Sequence, residues 1–179
     1  MTNPTDPPLN RYSMPMRLLH WLVLAAVVMA VAAIQVRELF PRDSSERSLA
    51  FIAHESAGLL VLLLMTVRIF VRLASTVPPP VPGNPLIARA AQAMHLALYL
   101  LMLAMPVLGL LTVATAGYPL NFFGIPLDLG LAANKGLSGT LKDIHENGAT
   151  LVYVLVGGHA AAALWHQFWV RDRLIARML

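Results

Sequence analysis

Few residues in this chain can do chemistry, and most of them are imidazoles: His20, His54, His95, His145, His159 and His166. Cysteine is absent from the 179 residues, which excludes disulfides, thiolate metal sites, iron–sulfur clusters and covalent c-type haem attachment. A metal or cofactor must therefore be held by nitrogen or oxygen ligands. The informative stretch is HENGATLVYVLVGGH, apolar throughout its centre and closed by His145 and His159. Fourteen helical residues rise about 21 Å and stop about 40° short of four full turns, so the two imidazoles share one helix face. One metal ion cannot reach both, and two separate sites are expected. His54-Glu55 and His145-Glu146 are not followed by the second histidine of H-E-x-x-H, so a zinc-protease site is excluded. Glu55 and Glu146 read as helix-end acids on the solvent edge.

The elements that position these histidines belong to a membrane. Hydrophobic residues make up 58% of the chain and charged residues 12%, with a mean hydropathy of +0.67. Four windows, Leu18–Val36, Leu49–Leu73, Ile87–Ala116 and Leu141–Val170, each have the length of about 20 residues that a helix needs to cross a bilayer. Short links make successive helices antiparallel neighbours, which predicts an all-α, integral-membrane, up-down-up-down four-helix bundle with its cofactors inside. Residues 1–10 read as a cytoplasmic tail and residues 11–179 as one transmembrane domain. The proline-rich VPPPVPGNP, residues 77–85, predicts an extended strap, and the segment from Gly117 to Thr140 an irregular outer loop. Pro106 is expected to kink the third helix. Arg17 and the run ending Ala30-Val31-Ala32 resemble a signal peptide, but the apolar run is too long and three more spans follow.

Arginine and lysine place both termini in the cytoplasm. Arg11, Arg17, Arg68, Arg72, Arg89, Arg171, Arg173 and Arg177 fall on one side, against Arg37, Arg42, Arg47, Lys135 and Lys142 on the other, eight to five. These cations sit at helix ends rather than in a patch, so they indicate membrane anchoring and no nucleic acid.

Depth then pairs the histidines. His54 and His145 both open helices entering from the outer side, so they meet near the outer surface. His20 opens the first helix from the inner side and can meet His159, with His95 as a second candidate partner at similar depth. Imidazoles opposed across a bundle, with no inward carboxylate cluster, suit axial ligation of haem iron at two levels, whereas zinc or copper would use closer spacings and mixed ligands. Gly58, Gly148, Gly157, Gly158 and Ala160–Ala163 leave room beside the ligands, although small residues also serve plain helix packing. Arg68, fourteen residues after His54, lies at the inner level, where it can neutralise a haem propionate. His166, in Trp165-His166-Gln167-Phe168-Trp169, can hydrogen-bond a quinone carbonyl and pass it a proton. The competing reading is an interfacial aromatic belt with an incidental histidine.

RYSMPMRLLHWL around His20, AHESAGLLVLLLMTVRIFVRL around His54, MHLALYLLMLAMPVLGL around His95 and LKDIHE with GGHAAAALWH together resemble the bacterial cytochrome b561 family, in order and over nearly the whole chain. The pattern is nearest to the family's di-haem members that carry electrons from superoxide to ubiquinone in the inner membrane. The resemblance implies two b-type haems with His20 and His159 ligating one and His54 and His145 the other. It also implies a cytoplasmic-side quinone site at His166, Asn84 and Pro85. Lys142, three residues before His145, could then attract an anionic periplasmic donor. No side chain is expected to act as a nucleophile. The alternative function is a haem-bearing anchor subunit wiring a periplasmic dehydrogenase to the quinone pool. A haem-free transporter would be colourless.

Overall fold

A computed structural model describes residues 11–79 and 84–179. The expected tail, residues 1–10, and the centre of the proline strap, residues 80–83, lie outside the described residues.

Each long apolar window forms a helix, and each helix starts earlier than hydrophobicity alone indicates, because proline leads the first turn of α1 and a polar side chain caps each of the other three. Helix α1 spans Met14–Arg37, with Pro15 in its first turn, where a missing amide hydrogen costs nothing. Helix α2 spans Ser45–Ala74, capped by Ser44, whose side chain accepts from the Arg47 amide at 3.1 Å. Helix α3 spans Pro85–Thr115 and continues through Pro106. Its cap is Asn84, whose Oδ1 accepts from the Leu86 amide at 2.8 Å. Asn84 and Pro85 therefore begin a helix and do not prolong an extended strap. Helix α4 spans Lys135–Trp165, capped by Asn134 through the Leu137 amide at 3.0 Å.

All four helices are long and apolar enough to cross a membrane. Helix α1 packs on α2, α2 on α3 and α3 on α4. Large apolar side chains such as Leu18, Leu22, Val28, Phe70, Leu96 and Leu100 point outward. Such a surface would aggregate in water, but it matches a solvent of lipid tails. Inside the bundle, Val23, Ala26, Val61, Met65, Met102, Met105 and Val152 form one buried apolar layer contributed by all four helices.

The third loop is more ordered than its glycines and prolines indicate. It contains an antiparallel hairpin of β1, Leu120–Phe122, and β2, Ile125–Leu127. Phe123 and Gly124, with φ of 51° and 85°, make the two-residue turn, and positive φ at both positions suits a primed hairpin turn. The Ser56 hydroxyl of α2 accepts from the Phe123 amide at 2.8 Å, docking the hairpin on the bundle. The loop closes at its base where the Asn134 amide donates to the Thr115 carbonyl at 2.8 Å.

At the other end, α4 runs into a π-helical turn, His166–Val170, and Arg171 then reverses the chain at φ 58°. Residues 172–179 fold back across the mouth of the bundle. The Tyr12 amide donates to the Arg177 carbonyl at 3.1 Å and Trp21 Nε1 to the Met178 carbonyl at 2.9 Å.

Candidate functional site

Two cavities are stacked along the bundle, and the buried Val/Met layer lies between the histidine levels. The one at the hairpin end, termed outer after the orientation expected from the sequence, is about 510 Å³ and is walled by all four helices and by Leu120 of the hairpin, with His54 and His145 on its lining. The inner one, about 400 Å³, carries His20, His95 and His159 and is roofed by Leu174, Ile175 and Met178 of the C-terminal segment. Both volumes fall within the range of roughly 300–1,000 Å³ typical of cofactor and ligand sites.

At the outer level the His54 and His145 rings face each other with centroids 6.1 Å apart and planes at 83°. The backbone fixes both. His54 Nδ1 lies 2.9 Å from the Ala30 carbonyl of α1, and His145 Nδ1 lies 3.0 Å from the Met105 carbonyl of α3. A carbonyl can only accept, so each Nδ1 must carry the hydrogen, and each Nε2 keeps a lone pair. Metal-ligating histidines are oriented in this way by partners outside the coordination sphere. The His145 ring also needs Gly109, because a Cβ there would come within 3.1 Å of Cε1.

At the inner level His20 and His159 have centroids 6.3 Å apart. His95 is closer to His159, at 5.4 Å, and is more exposed than His20 or His159. The His20/His159 separation nearly repeats that of His54/His145, whereas His95 stands 0.9 Å closer to His159 than His20 does. The donor set, two imidazoles at the outer level, three at the inner level and no thiolate, fits a pair of imidazole ligands for haem iron at each level.

The other expected site residues divide. Arg68 is 8% exposed and lines the inner cavity, with Nε donating to Tyr99 Oη at 3.2 Å and Nη1 to the Met16 carbonyl at 3.4 Å. Arg72 sits over the same Tyr99 ring. Lys142 lines the outer cavity, but its Nζ is 3.5 Å from Glu146 Oε1 in an exposed pair, which weakens it as an anion lure. His166 lies beyond the inner cavity at the π-turn, and Asn84 at the start of α3. Glu146 is exposed as expected. Glu55 is not: at 8% exposure it is buried on the outer cavity wall, under the hairpin that the loop was not expected to form.

The small residues play different parts. Gly58 borders the outer cavity with nothing within 4 Å of a Cβ, so it does leave room. Gly148 is a packing residue, since its Cβ would meet Met105 Sδ at 2.6 Å, and Gly157 faces outward over open space. Several contributors carry no sequence signal of their own: Gly109, Tyr99, the carbonyls of Ala30 and Met105, and the Gln35–Tyr153 bond of 3.0 Å that joins α1 to α4 beside the outer cavity.

Residues 11–179, which hold both histidine levels and all four spans, match the family model described as prokaryotic cytochrome b561. The chain belongs to the prokaryotic cytochrome b561 family. This cytochrome is 34% identical to cytochrome b561 homolog 1 of Escherichia coli K12 over 172 residues, covering 96% of this chain and 98% of the relative. It is 35% identical to the probable superoxide oxidase CybB of Yersinia pestis over 171 residues, 95% and 96% of the two chains. Cytochrome b561 homolog 2 of Escherichia coli K12 is 37% identical over 131 residues, covering 70% of this chain and 68% of that one. Membership makes this chain a multi-pass bacterial membrane cytochrome that transfers electrons and binds b-type haem.

Proposed function

We propose that this cytochrome is a di-haem protein of the bacterial inner membrane that takes electrons singly from superoxide, or another small periplasmic donor, and delivers them to ubiquinone. The observation that carries the reading is the matched pair of imidazole pairs, 6.1 Å and 6.3 Å apart, separated by an apolar layer. Haem iron supplies a reversible one-electron couple, which no side chain of this protein can. His54 and His145, with Nδ1 committed to helix carbonyls, would hold iron at the outer level, and His20 and His159 would hold it at the inner level. Arg68 would supply a buried cation to the acidic side groups of the inner haem, and its Nε donates to Tyr99 Oη.

Both termini lie in the cytoplasm, with residues 11–179 acting as one domain. Each superoxide gives up one electron and leaves as dioxygen. Two electrons and two protons convert ubiquinone to ubiquinol near His166. Asn84 Oδ1 is committed to its helix cap, which leaves the amide NH₂ free to donate to a quinone carbonyl beside Pro85. Lys142 offers a local positive charge at the donor entrance. The printed name of the Yersinia relative supports superoxide as donor.

The test is an absorption spectrum with haem-to-protein stoichiometry, followed by stopped-flow mixing with superoxide. Two bis-histidine haems per chain, reduced by superoxide and reoxidised by ubiquinone without any other subunit, are expected. One haem or none would refute the two-level arrangement. Inertness toward superoxide, rescued by a co-purifying dehydrogenase, would replace this reading with the anchor subunit.

A further inference from the structure

The π-turn that ends α4 brings together two side chains that a regular helix would separate. Residues six apart on an α-helix point in directions about 120° apart and lie about 9 Å apart along the axis. Here His166 Nδ1 lies 2.5 Å from Asp172 Oδ2. The wider turn 166–170 and the left-handed Arg171, at φ 58°, bend the chain back to make this contact, and a second left-handed residue, Arg173 at φ 59°, turns the chain again just beyond Asp172. Such conformations are strained for residues that carry a side chain and persist where the surroundings impose them. The Arg171 amide donates to the His166 carbonyl at 2.7 Å, and the Leu174 amide donates to Asp172 Oδ1 at 3.1 Å. Both carboxylate oxygens of Asp172 are thus committed, and its side chain is 14% exposed. The pair is seated at the rim of the inner cavity, since Leu174, bonded to Asp172, is part of that cavity's roof.

We propose that Asp172 is the positioning residue for proton delivery to the quinone, acting through His166. The inference rests on the quinone reading above. The carboxylate accepts from His166 Nδ1 and fixes the ring, so the proton that moves is on Nε2. The Nε2–H bond breaks as an O–H bond forms on a quinone carbonyl oxygen, with electrons arriving from the inner level. Water at the membrane surface then reprotonates Nε2, and a second transfer completes the quinol: two electrons and two protons per quinone. Asparagine cannot substitute. If its oxygen keeps the Leu174 amide, its NH₂ faces Nδ1 and enforces the opposite tautomer; if the amide is flipped, it confronts the Leu174 N–H.

The experiment is stopped-flow reoxidation of the pre-reduced, fully assembled cytochrome by a short-chain ubiquinone, in water and in deuterium oxide. Asp172→Asn and Asp172→Ser (whose hydroxyl can still accept from the Leu174 amide) are compared with Asp172→Glu, His166→Gln and the parent. Haem content checks assembly, and ferricyanide, which takes electrons without protons, serves as the control acceptor. The expected result is a 10- to 100-fold slower limiting rate in the Asn and Ser chains, the scale of an orienting group acting through another. The solvent isotope effect should rise, half-saturation should change less than about twofold, Asp172→Glu should recover part of the rate, and ferricyanide should react normally. Parental quinone rates in both Asp172 variants overturn the proposal. If His166→Gln is slow at the same time, the quinone reading survives; if it too is unimpaired, that reading falls as well. Equal slowing toward ferricyanide also overturns the proposal, by showing a structural defect.

Discussion

Gly109→Ala separates the packing of α3 from the orientation of the outer ligand, because the two respond with opposite sign. A methyl at position 109 would stand 3.1 Å from His145 Cε1 and 3.4 Å from Nδ1. Carbon–carbon contacts settle near 3.5–4.0 Å, so the ring must retreat by about 0.4 Å or more. It is held by its Nδ1 bond of 3.0 Å to the Met105 carbonyl, and a retreat of that size stretches the bond toward about 3.4 Å, where little of it remains. Losing such an orienting bond lowers metal affinity about 10- to 100-fold, or roughly 1.4–2.8 kcal/mol. Against this, replacing glycine by alanine inside a helix favours the helix by about 0.5–1 kcal/mol. The variant is therefore expected to fold at least as well as the parent while releasing its outer haem 10- to 100-fold more readily to a haem-scavenging globin. The inner haem should stay. Gly157→Ala, where a Cβ meets nothing within 4 Å, should keep both. A Gly109→Ala chain that held the outer haem as tightly as the parent would refute the ligand geometry.

Three other outcomes test the remaining parts. His95→Ala should leave two haems in the spectrum, whereas His20→Ala should leave one, because the His20/His159 separation repeats that of His54/His145 and the His95/His159 separation does not. His145→Ala should remove the outer haem alone, and loss of both, or of neither, in a stoichiometry measurement would contradict independent sites. Arg68→Gln removes a buried cation that favours the reduced inner haem. A redox titration should show the inner midpoint lower by on the order of 50 mV, with the outer midpoint nearly unchanged.

The helices and the two histidine levels are readable in the sequence because both depend on period and rise alone. A spacing of fourteen fixes a face and two depths whatever the neighbours are, and the rings indeed meet in two groups. Sequence leaves His159 with two candidate partners, since depth does not resolve a difference of 0.9 Å between ring separations. Counting apolar residues places the helix starts late, because capping by Asn84 and Asn134 is a polar signal. The Ala30 and Met105 carbonyls have no sequence signature, since every residue carries one and only the tertiary fold selects which faces a ring. Gly109 has no histidine within a turn of it in sequence, while Gly157, beside His159 in sequence, faces outward. The hairpin hides in a loop whose Phe123-Gly124 turn puts a bulky aromatic in the left-handed region. Burial of Glu55 follows from that hairpin and is hidden with it.

The apolar layer of Val23, Ala26, Val61, Met65, Met102, Met105 and Val152 has an electrical consequence. It contains no group that can relay a proton, so in the proposed orientation electrons cross the low-dielectric interior unaccompanied. Moving one elementary charge through a full membrane potential of 100 mV changes its energy by about 2.3 kcal/mol. Inward electron flow works against an interior that is already negative. An energised membrane would therefore slow this cytochrome, and a depolarised one would let it run fastest.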